Sequence, residues 1–509
     1  MKQALLVVFS AFILPLICQN TGSLAAQSIA GTSAVSVQEA QTIALNFFKI
    51  TAADLNAHTQ ITAGLKYTKA GANNTVAFYV FDMNPVPGFV IVAANKNVIP
   101  VLAYSTEQNF NTNFNRVGVA NWMQNTSENI YRALQQNVQA DDHIAGLWTA
   151  YQQGQKPNTA KSNSVNRLVS TLWDQENYGT PPPYLYNLLC PYNSTDQQRC
   201  LTGCVATAMA QIMKFWNYPV QGTDSFSYAD SVSNGYSYDY GTPSANFGAT
   251  IYEWGKMTDT ITNNSSASTD SAVDILMYQC AVSVGMDFGD DNQYGSGAEA
   301  VQNDVGAGQP CSQYALPNYF KYNPLTIQGV YDSSYTQVAW IALIEGELNA
   351  GRPVLYEGND SAQGGHAWVC DGYDVNDMFH MNWGWSGQDN GYFAVNNLTT
   401  SGNYNPVFNQ EALIGIQPLS VTTGLNGGPP ELSFNVYPNP ANNNVVIQMD
   451  KPETETTLYL KNILGQTLLY RNIADINTKI DLSAFSSGFY LVELRQGEKS
   501  VSKKIIISK

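Results

Sequence analysis

Charge is scarce in this chain and positive charge scarcer. Of 509 residues only 13% are Asp, Glu, Lys or Arg, and 40 acids against 24 bases leave a net charge of −16. A chain this acidic lacks the basic face that binds nucleic acid or an anionic membrane. Histidine is rarer still, with four copies at His58, His143, His366 and His380. There is no CxxC and no clustered Cys/His spacing, so neither a metal nor any other cofactor is expected. After the first residues no apolar run approaches the roughly 18 that a membrane span needs. No internal repeat is visible.

What is present points to export. Met1-Lys2 precedes the apolar run Ala4 to Cys18 and the small residues Ser23-Leu-Ala-Ala26, which read as a signal peptide over 1–26. A lipid anchor on Cys18 is the lesser alternative, because Pro15-Leu-Ile is a poor lipobox. Seven cysteines stand at 18, 190, 200, 204, 280, 311 and 370. Cys190 and Cys200 could bridge outside the cell, a point the sequence leaves open. A hydrophobic fraction of 44% is enough for real cores, and the length calls for several domains.

Those domains follow in order. Residues 27–166 form a first α+β domain: Val37–Phe48 has the spacing of a one-faced helix, 76–81, 88–93 and 98–104 read as strands, and Asn121–Leu134 reads as a helix. Gln152–Asn166 is polar, with Gly154 and Pro157, and reads as an exposed, cleavable linker. Residues 167–420 mix helices near 204–217, 271–284 and 337–350 with strands near 353–357, 366–373, 378–383 and 391–395. A Gly/Pro linker covers 421–431. Alternating residues over 432–509 suggest a small all-β sandwich. The fold class is α+β.

The stretch Cys200–Pro219 organises the chemistry. Val205, Ala208, Met209, Ile212, Met213 and Trp216 lie on one helical face, and Pro219 ends the helix. Cys204 therefore stands at the helix start, where the dipole and unpaired N–H groups should lower its pKa and favour the nucleophilic thiolate. A buried core cysteine is the plain alternative. A base is offered by His366, which follows Gly364-Gly365 at a strand start and is expected to face open space. His380, inside an alternating strand, reads as packed and structural. Asn382 could accept from the imidazole N–H and fix its tautomer, with Trp383 shielding that bond. Gln175 is a possible oxyanion donor beside the Cys204 N–H. Asp287, Asp290 and Asp291 read as a solvated acidic loop.

Three motifs carry a resemblance: Thr202-Gly-Cys-Val-Ala-Thr-Ala-Met-Ala-Gln-Ile-Met-Lys214, Gly365-His-Ala-Trp-Val-Cys-Asp-Gly372 and His380-Met-Asn-Trp-Gly-Trp385. They resemble the streptopain family of secreted cysteine peptidases, which includes interpain. The resemblance implies a papain-like catalytic domain with Cys204 as nucleophile, His366 as acid/base, Gln175 in the oxyanion hole and Asn382-Trp383 supporting the histidine. It further implies that Gly365 binds substrate backbone, that Ser296 lines a pocket, and that an apolar side chain is favoured second before the cut. The Val37–Phe48 helix and strands of the first domain are similar to the family's inhibitory propeptide. Tyr437-Pro-Asn-Pro440, Gly465 and Lys503–Lys509 look like the sorting domain of type IX secretion, whose machinery would be a partner beside protein substrates. Two rival readings stay open: a non-catalytic surface adhesin, and a papain-like acyl transferase.

Overall fold

The computed structural model describes residues 33–507 apart from 53–58, 72, 74, 113–116, 159–162, 179–183, 263–264, 291–294, 361–363, 396–397, 399–408, 420–433, 440, 450–455, 463–465, 487 and 497–498. The signal peptide, the 421–431 linker and Asp291 lie outside the described residues. The chain divides into two compact units, 1–420 and 421–509.

The first unit begins with helix α1 (Val37–Thr51), capped by Ser36 and burying Ala40, Ile43, Ala44, Phe47 and Phe48. Four strands follow: β1 (Thr62–Ala70), β2 (Val76–Asn84), β3 (Phe89–Ala93) and β4 (Val101–Ser105). Helices α2 (Val117–Gln135) and α3 (Asp142–Gln152) come next. The following segment supplies α4 (Cys204–Trp216), α5 (Ala267–Ser283), α6 (Ser312–Phe320), β5 (Gln328–Tyr331) and α7 (Gln337–Asn349). Strands β6 (Val354–Asp360), β7 (Gly364–Tyr373), β8 (Phe379–Asn382), β9 (Gly391–Phe393) and β10 (Asn409–Ile414) complete it.

These strands make one ten-stranded sheet in the order β1-β2-β3-β4-β9-β8-β7-β6-β10-β5. The first domain's sheet is thus continuous with that of the second through β4 and β9, where Tyr392 pairs with Tyr104 and Phe393 with Ala103. Tyr104 and Tyr392 stack with ring centroids 5.0 Å apart, and the Tyr104 hydroxyl donates to Asp374 Oδ2 at 2.9 Å. Trp122 of α2 packs edge-on against Phe393 and donates from Nε1 to the Ala394 carbonyl at 3.0 Å. One apolar core runs beneath both halves of this sheet. A second core packs α4 and α5 against the other face of β6 and β7 through Met209, Met213, Leu276, Leu355, Ala367 and Val369.

The second unit has a three-stranded sheet of β11 (Phe434–Tyr437), β12 (Asn444–Met449) and β15 (Asn477–Asp481). A four-stranded sheet joins β13 (Thr456–Asn462), β14 (Thr467–Ile473), β16 (Gly488–Gln496) and β17 (Lys499–Ile507). Val445, Ile447, Leu458, Leu460, Leu494 and Ile505 from the two sheets form its core, the sandwich expected from the alternation.

Burial of the Tyr104 ring at the β4–β9 seam predicts that Tyr104→Ala lowers the stability of the full-length chain by about 3 kcal/mol, near the low end for aromatic truncation. Equilibrium denaturation in urea checks this, and an unchanged midpoint would show that the seam contributes little.

Candidate active site

Helix α4 owes its position to the residue before it. Gly203 has φ +92°, and a Cβ there would lie 2.6 Å from Met286 Sδ, so only glycine fits this turn. At the far end Asn217 takes a left-handed conformation at φ 46°, closing the helix before Pro219. Cys204 therefore sits at the first helical position, as its sequence context predicts. Backbone N–H groups of Ala367 and of Val205 reach its sulfur.

The expected lowering of the Cys204 pKa is not what this state shows. Burial pushes the thiol up to about 11, and the nearby Glu357 charge pushes in the same direction. Helix-start dipoles and N–H groups act the other way but lose to desolvation.

His366 is the third residue of β7 and is buried, not facing open space. Its ring lies 5.7 Å from that of Trp385 at an interplanar angle of 5°, with Trp368 at 6.1 Å. Nε2 is 2.9 Å from the Trp383 carbonyl oxygen. A carbonyl only accepts, so Nε2 carries the proton and Nδ1 keeps the lone pair. The cover comes from the first domain: Gly118, in the first turn of α2, lies so close that an added Cβ would be 2.6 Å from His366 Cδ2 and 2.9 Å from Nε2. Burial holds the imidazole pKa down to about 4, and the bond to Trp383 opposes this only in part. Cys204 and His366 make no hydrogen bond with each other, and burial favours the neutral form of each.

Asn382 is placed otherwise than its expected contact with the imidazole. Its Nδ2 donates to the Thr171 carbonyl at 2.7 Å and to Gln211 Oε1 at 3.1 Å, while Oδ1 accepts from the Gly384 N–H at 3.3 Å. The group facing His366 is the main chain of the next residue, Trp383. The Trp383 indole is itself fixed by a bond to the Asp389 carbonyl at 3.1 Å. Gln175 is buried, its carbonyl accepts from the Thr202 N–H at 2.8 Å, and its Nε2 has no hydrogen-bond partner. Gly365 is exposed one residue before His366, opposite Asn359 on β6. Ser296 donates to the Leu201 carbonyl at 2.7 Å and accepts from the Gly289 N–H at 3.0 Å, tying its loop to the approach to Cys204. His380 is buried with Nδ1 2.6 Å from Asp371 Oδ1, a structural contact as expected. The acidic loop is less solvated than its composition suggests, since Asp290 is buried and takes Asn193 Nδ2 at 2.6 Å, while Asp287 binds Ser237.

With this geometry in view, comparison with known proteins is decisive. Streptopain of Streptococcus pyogenes is 31% identical over 403 residues, which cover 75% of this chain and 91% of that protein. The chain belongs to the streptopain family. The Peptidase C10 family matches residues 173–393, the Spi protease inhibitor residues 32–130, and the secretion system C-terminal sorting domain residues 435–508. The thiol protease/hemagglutinin PrtT of Porphyromonas gingivalis is 29% identical over 400 residues, 76% of this chain but only 42% of that protein. A prointerpain A fragment from Prevotella intermedia superposes with a TM-score of 0.55 at 27% identity, covering 70% of this chain and 99% of the fragment. The chain is a cysteine-type endopeptidase, α+β and papain-like, made as a zymogen and secreted or held at the cell surface. No helix among the described residues is long and apolar enough to cross a membrane.

Two predictions follow from the cover over His366. Gly118→Ala should favour the helix by propensity yet collide with the imidazole, so the precursor should be processed and gain activity at least several-fold faster. Timed gel analysis of the secreted chain reads this, and wild-type kinetics would discard the contact as a brake. The second concerns pH. A histidine held at about 4 in the precursor, against 6.5 when free, contributes stability that is complete above pH 6.5. That stability falls by roughly 3 kcal/mol as the pH drops to about 4. Cys204, held up at about 11, loses its contribution only as the pH rises past its ordinary 9. Precursor stability should therefore be greatest from about pH 6.5 to 9, and thermal melts of Cys204→Ala and His366→Gln precursors across pH separate the two flanks.

Proposed function

We propose that the peptidase works through a Cys204–His366 dyad, with residues 27–166 as the inhibitory domain, 167–420 as the catalytic domain and 432–509 as the sorting sandwich. The observation that carries this is the buried Gln175 amide, whose Nε2 has no partner although it lies on the segment bonded to the approach to Cys204. A buried amide donor left open costs about 1–3 kcal/mol, which an oxyanion formed at each turnover would offset.

Once the α2 turn leaves, His366 Nδ1 takes the Cys204 proton while Nε2–H stays on the Trp383 carbonyl. The thiolate adds to the peptide carbonyl, and the oxyanion is held by the Cys204 N–H and Gln175 Nε2. His366 then protonates the leaving amine, and water, deprotonated by the same ring, frees the acyl group. Trp383 thus supplies through its main chain the tautomer control that the sequence assigns to Asn382. Asn382 acts one step back, by holding Gln211 of α4 and Thr171. Gly365 offers backbone to the substrate, Ser296 shapes the pocket wall, and an apolar side chain second before the cut is favoured. The sorting sandwich engages the type IX secretion machinery, and the signal peptide over 1–26 precedes it on the route out.

The test is casein cleavage by the secreted chain under reducing conditions. Cys204→Ala should be inactive and remain unprocessed if maturation is autocatalytic. Gln175→Ala should lose about 10²–10³-fold in kcat with little change in KM. A folded, processed wild type that fails to cleave, or that passes its acyl group to added amines in preference to water, would give way to the adhesin or transferase reading.

A further inference from the structure

Close enough to Cys204 to act on it electrostatically, the fold sets carboxylates against one another. Glu357 of β6 and Glu411 of β10 are direct cross-strand partners, and both are buried. Like charges so placed repel, and burial multiplies the cost. A third, half-buried carboxylate comes from Glu299, next to Ala300, whose N–H bonds Glu357. One oxygen from each of the three lies within 4.8 Å of the other two. Exposed Asp304 stands at the rim, where it accepts the Tyr331 hydroxyl at 2.9 Å.

The decisive detail is Glu357. It is 4% exposed, its carboxylate is one of the converging three, and its Oε2 has no hydrogen-bond partner. The strongest charges acting on it are other carboxylates, Glu411 and Glu299. A buried carboxylate oxygen with neither donor nor cation is an unfilled ligand position.

We propose that Glu299, Glu357 and Glu411 bind one Ca²⁺ ion. Three hard oxygen donors suit a hard cation and not a thiolate- or imidazole-seeking metal. Donor separations up to 4.8 Å fit a Ca²⁺ shell, whose oxygens lie about 2.3–2.6 Å from the ion, with water entering past Glu299 to complete it. Mg²⁺, at about 2.0–2.1 Å and in strict octahedral geometry, is the poorer fit. The three residues are spread over more than a hundred positions, so no sequence spacing announces them.

The test uses the full-length Cys204→Ala chain stripped with EDTA and titrated with Ca²⁺ by calorimetry, alongside thermal melts. The expected result is one ion per chain with Kd at or below about 1 mM, as in extracellular calcium modules. The melting temperature should rise with Ca²⁺ and respond less to Mg²⁺. Glu299→Gln and Glu411→Gln should each weaken binding at least tenfold. Glu299 is at the rim, so its variant should keep the parent's circular dichroism and decides the matter if Glu411→Gln does not fold. Absence of heat and of any melting shift at about 10 mM Ca²⁺, or equal affinity in a folded Glu299→Gln variant, overturns the site. The first outcome would leave the trio as proton-sharing acids, and the second would place the ion elsewhere.

Discussion

A dry imidazole governs the precursor. His366 is enclosed by Trp385 and Trp368, roofed by the backbone at Gly118, and tied through Nε2 to the Trp383 carbonyl. Each contact removes water from the ring and so disfavours its charged form. Desolvation likewise favours the neutral form of Cys204. The Gly118 backbone completes this cover, and a Cβ there would collide with the imidazole.

That glycine is placed by strand pairing within the first unit. Strands β1–β4 extend the catalytic sheet at β9, so main-chain hydrogen bonds set the register of the inhibitory domain, and Trp122 and Phe393 set the height of α2 above the sheet. Register matters because a slip of one residue would turn Tyr104 away from Tyr392. The cover over His366 is therefore a consequence of strand pairing some distance away. Cleavage in the 152–166 region would cut the tether but leave the pairing, so release still requires the sheet to part at the seam.

The sequence was most legible where local pattern and tertiary role agree. The α4 helix, its glycine turn, the strands carrying His366 and His380 and the sandwich all announce themselves by period and punctuation. Strand β1 was missed because it is an edge strand whose residues are mostly exposed. Helix α3 was missed because it is short and its apolar face is only Ile144, Leu147, Trp148 and Tyr151. The environment of His366 could not be read, since Gly118 lies 248 positions upstream (366 − 118) and glycine has no side chain to betray a contact. The direction of the Cys204 shift was misjudged for a related reason: a helix start is a local feature, whereas burial comes from the whole fold.

Asn382 shows how a motif residue can be needed without touching the chemistry. Its amide joins three elements, the Thr171 segment, α4 through Gln211, and the turn at Gly384. Gln211 in turn accepts from Thr171 Oγ1 at 2.9 Å and from the Trp173 N–H at 3.3 Å. This buried network therefore links the helix that carries Cys204 to the strand end that carries the Trp383 carbonyl, and to the segment that leads into Gln175. Removing the amide would leave two or more buried groups unpaired, each at about 1–3 kcal/mol, and would loosen the spacing of Cys204, His366 and Gln175 together. An Asn-Trp pair at this point in the chain is accordingly a statement about distance: the tryptophan main chain orients the His366 ring, and the asparagine ties α4, the Thr171 segment and the Gly384 turn together.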